Sequence, residues 1–189
     1  KIESTNEPKG PPKQKIKESL LEACRYYHFN LLHTPQGHLV LKYLFRRGLD
    51  LNFIHHFMVG LAPMTQGATT KLLHAKGFDD EILQAAGLLS LSKDGRLREF
   101  FIDRITFPIR DASGAVIGFS ARKYKEETYG GKYINTQETL LFKKSKVLFG
   151  LNYSRRRIAK ERKALIVEGQ IDALRLIQEG FNITVAGQG

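Results

Sequence analysis

Apolar residues recur at helical spacing in the first part of the chain. Between residues 13 and 57 the intervals between apolar positions are three or four residues, which places these side chains on one face of a helix. The positions that define the first helix are Ile16, Leu20, Ala23, Tyr27 and Leu31. The pattern predicts a long first helix whose apolar face belongs to a core.

More helices are predicted before residue 90. A second helix over 37–49 ends near Gly48, because glycine commonly follows a helix C-terminus. A third over 49–58 opens on Asp50, a residue type that caps helix N-termini. Two further helices are predicted within 67–87.

The period changes after about residue 97. Apolar runs on either side of the turn at 111–114 predict two antiparallel strands. Residues 126–146 are expected to be mostly loop, and residues 151–162 are expected to form a basic helix.

The last segment reads as strand, helix and strand, over 164–168, 172–179 and 183–187. The first run does not alternate between apolar and polar residues, which is typical of a parallel strand that is covered on both faces. A strand–helix–strand order of this kind predicts a parallel pair.

Composition narrows the functional classes. The 189 residues include 30 Lys and Arg against 19 Asp and Glu, a net charge of +11. Such an excess favours a polyanionic partner, nucleic acid or nucleotide, although solubility alone explains part of it.

The single Cys24 cannot form an intramolecular disulfide, which favours a reducing cytoplasm, and no zinc-ligand spacing, membrane span or signal peptide is visible. The chain begins with Lys1 and not Met, so we expect a fragment of a longer protein, with residues 1–12 as a linker.

Two carboxylates follow the apolar strand at 164–167. Glu168 stands at the carboxyl end of that strand, where parallel sheets bind ligands, and Asp172 falls in the first turn of the next helix. Two carboxylates in this position could hold Mg²⁺ together with substrate phosphates. The alternative, which the spacing leaves open, is that Asp172 is a helix cap and Glu168 a solvated strand end.

Basic and aromatic residues mark a second candidate site. Arg122 ends an apolar strand, and a guanidinium suits bidentate phosphate contacts. Lys132 and Tyr133 combine a charge with an aromatic face, as single-strand binding proteins do, and Asn135 could bond a phosphate, sugar or base edge. Solvated loop charges and a core aromatic are the structural alternatives.

The stretch 142–163 is also strongly basic, with nine Lys and Arg against Glu161. Its arginines at 155–157 point to different sides of any helix. A solvated helix face explains them as well as nucleic acid does.

Several motifs carry a resemblance to a known family. Strand ALIV, then EGQID (168–172), then an amphipathic helix and a second strand resemble the opening of a Toprim domain. RITFPIRDASGAVIGFSAR (104–122), KYINTQETLLFKKSKVLFGL (132–151) and YLFRRGLD (43–50) resemble the segments of bacterial replicative DNA primase of the DnaG type. The chain departs from that pattern at Gln170-Ile171, where Tyr-Met is common, and at Thr136-Gln137, where Ser-Pro is common.

The resemblance implies an α+β fold, with residues 13–162 as the N-terminal subdomain of a primase RNA-polymerase core and residues 163–189 as the first strand–helix–strand of a Toprim subdomain. It implies synthesis of short RNA primers from ribonucleoside triphosphates on a single-stranded DNA template. Glu168 and Asp172 would be the catalytic and metal-binding carboxylates. The groove for template and nucleotide would be lined by Arg47, Arg122, Lys132, Tyr133, Asn135 and Lys144.

The family also implies partners and cofactors outside these residues. Mg²⁺ or Mn²⁺ would take further acidic ligands beyond Gly189, and zinc would bind only in an upstream domain. A replicative helicase would bind a downstream region, single-stranded DNA-binding protein is a further candidate partner, and the location would be the bacterial cytoplasm and its nucleoid. The rival functions are a Toprim nuclease or topoisomerase and a non-catalytic single-stranded DNA-binding module, and we expect residues 1–189 alone to be inactive.

Overall fold

A computed structural model describes residues 10–188, so most of the predicted linker at 1–12 lies outside the described residues. The chain folds as a mixed α+β structure, as predicted. The helices are α1 (Lys13–His33), α2 (Pro35–Arg46), α3 (Leu51–His56), α4 (Ala68–Ala75), α5 (Asp80–Ala85), α6 (Leu151–Glu161) and α7 (Gln170–Gln178). The strands are β1 (Gly60–Leu61), β2 (Leu89–Leu91), β3 (Leu97–Glu99), β4 (Ile105–Arg110), β5 (Val116–Arg122), β6 (Tyr133–Asn135), β7 (Leu165–Val167) and β8 (Thr184–Ala186). None of the helices in the described range is long and apolar enough to cross a membrane.

The helix boundaries follow local capping chemistry. The Asp50 carboxylate accepts a hydrogen bond from the Phe53 amide at 2.8 Å, which confirms Asp50 as the N-cap of α3. Helix α2 begins earlier than predicted because the Thr34 hydroxyl caps it and Pro35 occupies its first position, where proline is well tolerated. Gly48 follows its end with φ of 77°, a conformation that glycine adopts without strain.

An antiparallel sheet in the order β1-β4-β5-β6 forms the centre of the fold. One face packs through Ile105, Phe107 and Ile109 of β4 against a core that includes residues of α2, α3 and α7. The other face packs through Phe119 and Ala121 of β5 against residues of α1, α4 and α5. Strand β5 is buried along its whole length because helices cover both faces.

The short hairpin β2–β3 was not predicted. The polar turn at 92–96 between its two strands has no strand pattern, so the local sequence does not reveal that the strands pair. Residues 126–146 are mostly loop, as predicted, apart from β6 and one 3₁₀ turn at Lys144–Lys146.

The parallel pair at the end of the chain is confirmed, since β7 and β8 pair in register on either side of α7. The prediction that both faces of β7 are covered is wrong for the described residues. Ile166 is 72% exposed and Leu165 is 37% exposed. In the described range β7 pairs with β8 only, whereas α6 and Phe149 contact β8 on its other side.

Candidate nucleic-acid interface

A cavity of about 580 Å³ lies where the C-terminus of α2, the ends of β5 and β6, and the N-terminal half of α7 meet. Five cationic side chains and one carboxylate line it. The lining residues are Arg46, Arg47, Leu49, Arg122, Lys132, Tyr133, Gly169, Ile171, Asp172 and Arg175. Four of the six predicted groove residues and one of the two predicted carboxylates are therefore brought together in one place.

Arg122 and Tyr133 form the floor of this cavity. They are direct partners in the β5–β6 register. The Arg122 guanidinium donates to the Tyr133 hydroxyl at 2.9 Å and lies 5.3 Å from the centroid of the Tyr133 ring. Burial opposes the charged form of Arg122, but the hydroxyl groups of Tyr133 and Tyr43 outweigh it, so the pKa of the guanidinium is raised above its ordinary value.

Arg47 occupies the wall formed by α2. It is the C-cap of that helix, where a cation is favoured by the helix dipole, and its guanidinium carbon lies 5.5 Å from the centroid of the Tyr43 ring. Arg47 is therefore both a charge at the C-terminus of a helix, which was the structural alternative, and a residue that lines the cavity. Tyr43 interacts with both Arg47 and Arg122.

Lys132 is exposed, and Arg104 makes hydrogen bonds to the loop that precedes it. The buried Arg104 guanidinium donates to the main-chain oxygens of Tyr129 at 2.7 Å and Gly131 at 2.9 Å. The Lys123 amide also donates to the Lys132 carbonyl at 3.0 Å. These bonds fix the end of a glycine-containing loop, so Lys132 enters the cavity from a defined point.

The acidic side of the cavity is built by the first turn of α7. A Cβ atom placed on Gly169 would lie 2.6 Å from Oδ2 of Asp172, so the Asp172 carboxylate folds back over Gly169 and a larger residue there would push it aside. The Gly169 φ of −90° is ordinary, so a larger residue at this position would meet the Asp172 side chain but no backbone strain. The N-cap Gly169 has no side chain to cap α7, and Asp172 lies in its first turn, where the helix dipole favours a negative charge, so the structural role of Asp172 stays an alternative.

Glu168 lies at the exposed end of β7, directly before Gly169, and is not among the residues that line the cavity. Residues 10–188 contain no group of three or more His, Cys, Asp and Glu side chains arranged to hold a metal ion. Glu168 and Asp172 are four residues apart in the chain, and both are exposed. Mg²⁺ binds carboxylate oxygens of this type. Two carboxylates would fill only part of its coordination sphere and leave the rest to water and phosphate.

Two predicted groove residues lie elsewhere. The side-chain amide of Asn135 donates to the Gln188 carbonyl at 2.8 Å, away from the cavity lining. Lys144 is exposed in the 3₁₀ turn, and its amide donates to the Glu138 carboxylate at 2.8 Å. Their contact with nucleic acid stays a prediction.

Arg46 and Arg175 line the cavity but were not singled out by the sequence. Arg175 donates to the main-chain oxygen of Arg47, so it joins α7 to the C-terminus of α2. One signal was available for Arg175, since it follows Asp172 by three positions and therefore shares its helix face. Arg46 offered no signal apart from its neighbour Arg47.

The arginines of α6 lie outside the cavity. Arg155, Arg156 and Arg157 are all exposed, and Arg157 pairs with Glu161 one turn later on the same helix. This arrangement is what a solvated helix face gives, and it leaves a role in nucleic-acid binding open.

Comparison with known proteins identifies the family of this chain. The model of the DNA primase catalytic core, N-terminal domain, matches residues 26–155. The DNA primase of Chlamydia muridarum is 49% identical over 168 residues, which are 89% of this chain and 27% of that protein. The chain therefore spans about a quarter of the length of this relative.

Solved structures show the same fold. The RNA polymerase domain of Mycobacterium tuberculosis primase DnaG, in complex with double-stranded DNA, matches with a TM-score of 0.87 and 35% identity over 94% of this chain and 56% of that chain. A DnaG primase catalytic domain bound to single-stranded DNA matches with a TM-score of 0.80 and 33% identity over 94% of this chain and 54% of that chain. The resemblance to bacterial primase is confirmed, and the chain belongs to the family of DNA primase catalytic cores.

Proposed function

We propose that this chain is the template- and nucleotide-binding part of an enzyme that synthesises short RNA primers on single-stranded DNA. The observation that carries the proposal is the cavity in which Arg122 and Lys132 face Asp172. Cations that hold phosphates and a carboxylate that helps to hold a metal ion are what transfer of a nucleotide requires. A structural relative was solved with single-stranded DNA bound, which supports the template assignment.

The basic side of the cavity would hold the template and the triphosphate of the incoming ribonucleotide. Arg47 and Arg122 would contact phosphate oxygens through their planar guanidinium groups, and Lys132 would add a mobile point charge. The half-buried Tyr133 ring is tied by its hydroxyl to Arg122 and would offer its free edge or face to a base. Arg46 and Arg175 extend the positive surface, and Asn135 and Lys144 would act at its margins.

The acidic side would hold Mg²⁺ or Mn²⁺. Glu168 and Asp172 supply the carboxylate oxygens that such ions bind, and further acidic ligands would come from residues after 189. The bound ion would neutralise charge on the phosphates as pyrophosphate leaves. Glu168 would in addition accept the proton of the attacking hydroxyl, for which its exposed position at the end of β7 suits it.

The separation of the antiparallel four-stranded sheet from the parallel β7–β8 pair supports a division of the chain into two subdomains. Residues 13–162 contain the antiparallel sheet and would form the N-terminal subdomain of the polymerase core, and residues 163–189 contain the parallel pair and would begin a Toprim subdomain. An upstream zinc-binding domain and a downstream helicase-binding region would complete the protein in the bacterial cytoplasm. Single-stranded DNA-binding protein remains a proposed partner.

The test is primer synthesis by a protein that carries this chain within the full length of its primase relatives. Labelled ribonucleotides, Mg²⁺ and single-stranded DNA are supplied to the parent and to Glu168→Gln, which keeps the size of the side chain and removes its charge. We expect short, template-dependent RNA from the parent and almost none from the variant. DNA binding without RNA synthesis by the parent would favour a binding module, and cleavage of the DNA would favour a nuclease.

A further inference from the structure

Four polar residues, three of them buried and one half-buried, are joined by hydrogen bonds between the antiparallel sheet and the β7–α7–β8 unit. The Ser120 hydroxyl on β5 donates to Oε1 of Gln170, the first residue of α7. The Gln170 amide donates to Oε1 of Gln188 at 3.3 Å, and the Asn135 amide on β6 donates to the Gln188 main-chain oxygen at 2.8 Å. We name Ser120, Asn135, Gln170 and Gln188 the amide junction.

The junction lies beside the floor of the cavity on the same face of the sheet. Ser120 pairs with Asn135, and Arg122 pairs with Tyr133, as alternate cross-strand pairs of β5 and β6, with the Ala121–Ile134 pair between them. Side chains two residues apart on a strand share a face. The sheet therefore presents the Arg122–Tyr133 pair to the cavity and the Ser120–Asn135 pair to the junction, from one rigid surface.

On the other side, the junction holds the segment that carries the carboxylates. Gln170 follows Glu168 by two residues and precedes Asp172 by two. Its side chain is 9% exposed, and Ser120 is fully buried. The bond between them ties the first turn of α7 to β5, so it sets where the carboxylates stand relative to Arg122.

Stability is a poor explanation for this arrangement. Oδ1 of Asn135 and Nε2 of Gln188 are buried and have no hydrogen-bond partner among the described residues. A buried polar network with unpaired members is less favourable than apolar packing of the same volume. The net gain in stability from the junction is therefore small, whereas its directional hydrogen bonds fix the placement of the two surfaces relative to each other.

We propose that the amide junction is a positioning device that sets the distance between the basic groups on the sheet and the carboxylates on α7, with Gln170 as its central positioning residue. The inference rests on the proposed function and extends it to residues that do not line the cavity.

The test compares Ser120→Ala, Gln170→Leu and the double variant in the full-length protein that carries this chain. Gln178→Leu is the matched control, because Gln178 lies on the exposed side of the same helix. For each protein the melting temperature, the Kd for single-stranded DNA, kcat, the KM for ribonucleotides and the Mg²⁺ concentration that gives half-maximal synthesis are measured.

We expect Gln170→Leu and the double variant to lower kcat by about tenfold or more, since misplacing reacting groups by about 1 Å has effects of that size. We expect the half-maximal Mg²⁺ concentration to rise several-fold. The Kd for DNA should stay within about twofold, because the basic groups remain on the sheet. The double variant should melt at or above the temperature of Gln170→Leu, because it also removes the buried Ser120 hydroxyl that Gln170→Leu alone leaves without its partner.

The outcomes separate the two proposals. A parent that makes no RNA removes the proposed function and this inference with it. An active parent with a double variant that is folded, and that keeps its kcat and its Mg²⁺ requirement, overturns the inference alone, as does a loss of activity that only follows the melting temperature. If Gln170→Leu does not fold, Ser120→Ala decides, because it removes the donor on β5 and preserves the size of a fully buried side chain.

Discussion

The Arg122 guanidinium donates to the Tyr133 hydroxyl at 2.9 Å across the β5–β6 ladder, and the same guanidinium lies 5.3 Å from the centre of that ring. Arg122 is only 7% exposed, and its Nε atom has no hydrogen-bond partner in the described range. A buried cation with a donor to spare is suited to an anion that enters the cavity. The hydrogen bond to Tyr133 fixes the position of the guanidinium that would bind this anion.

Tyr133→Phe should destabilise the fold. The change removes the hydroxyl that accepts from Arg122 and leaves a buried donor without its partner, at a cost of about 1–2 kcal/mol. Urea unfolding of the chain measures the free energy. Tyr129→Phe is the control, because Tyr129 is 98% exposed and its hydroxyl makes no hydrogen bond among the described residues. Equal stability of the two variants would show that the Arg122–Tyr133 bond contributes nothing.

Lys132→Gln should weaken binding to single-stranded DNA and reduce its salt dependence. Each phosphate contact that is lost lowers the slope of log K against log salt concentration by about 0.7 for single strands. Fluorescence anisotropy of a labelled oligonucleotide at several salt concentrations gives the slope.

Lys160→Gln on α6 serves as the partner variant in this measurement, since it removes the same charge from an exposed helix outside the cavity. We expect its slope to stay near that of the parent. A larger loss from Lys160→Gln than from Lys132→Gln would place the DNA on α6 and decide the question that the basic stretch at 142–163 leaves open.

Gly169→Ala should impair catalysis without unfolding the chain. The new methyl group would lie 2.6 Å from the Asp172 carboxylate and displace it, whereas the backbone conformation at Gly169 suits any residue. Gly187→Ala is the control, because a Cβ atom there meets nothing within 4 Å. Primer synthesis by the full-length protein should fall by about tenfold or more for Gly169→Ala, and equal activity of both variants would contradict the placement of Asp172.

His28 should make stability depend on pH. Burial lowers the pKa of His28 below its usual value of 6.5, against a hydrogen bond to the Val59 carbonyl that raises it and the nearby His55 and His33, which lower it. The folded state therefore disfavours the charged form. Its stability is fully present above pH 6.5 and is lost as the pH falls from there towards the lower, folded-state pKa.

The free energy of unfolding of the chain, measured in urea between pH 8 and pH 5, checks this expectation. The fall in stability below pH 6.5 should be smaller in His28→Gln, which cannot be protonated in this range. His38→Gln is the control, because His38 is exposed on α2. A pH profile that His28→Gln leaves unchanged would assign the dependence to other groups.

Local chemistry made much of the fold predictable. The Asp50 cap, the turn at 111–114 and the end of β5 at Arg122 each depend on residues close in sequence, so the sequence pattern located them. The hairpin β2–β3 and the exposed face of β7 depend on what packs nearby, and no local pattern reports that. For the same reason the apolar run at 164–167 predicted the parallel pairing correctly and its cover wrongly.

The candidate site divides in the same way. Arg47, Arg122, Lys132, Tyr133 and Asp172 stood in recognisable motifs, and the structure brings them into one cavity. Arg46 and Arg175 also line the cavity, because α2 and α7 meet there. Asn135 does not line it, and its side-chain amide instead donates to the Gln188 carbonyl. These are contacts between residues far apart in sequence, and spacing along the chain does not reveal them.

The measurement that tests the cavity most directly compares Arg122→Gln with Arg156→Gln in primer synthesis by the full-length protein, with circular dichroism to establish that both variants fold. Both changes remove one positive charge, but only Arg122 lies in the cavity. We predict that Arg122→Gln lowers kcat/KM by about 100-fold, the size of effect seen when one preorganised donor is removed from an active site, and that Arg156→Gln stays within about threefold of the parent. Equal activities of the two folded variants would contradict the assignment of the cavity as the site where template and nucleotide phosphates are held.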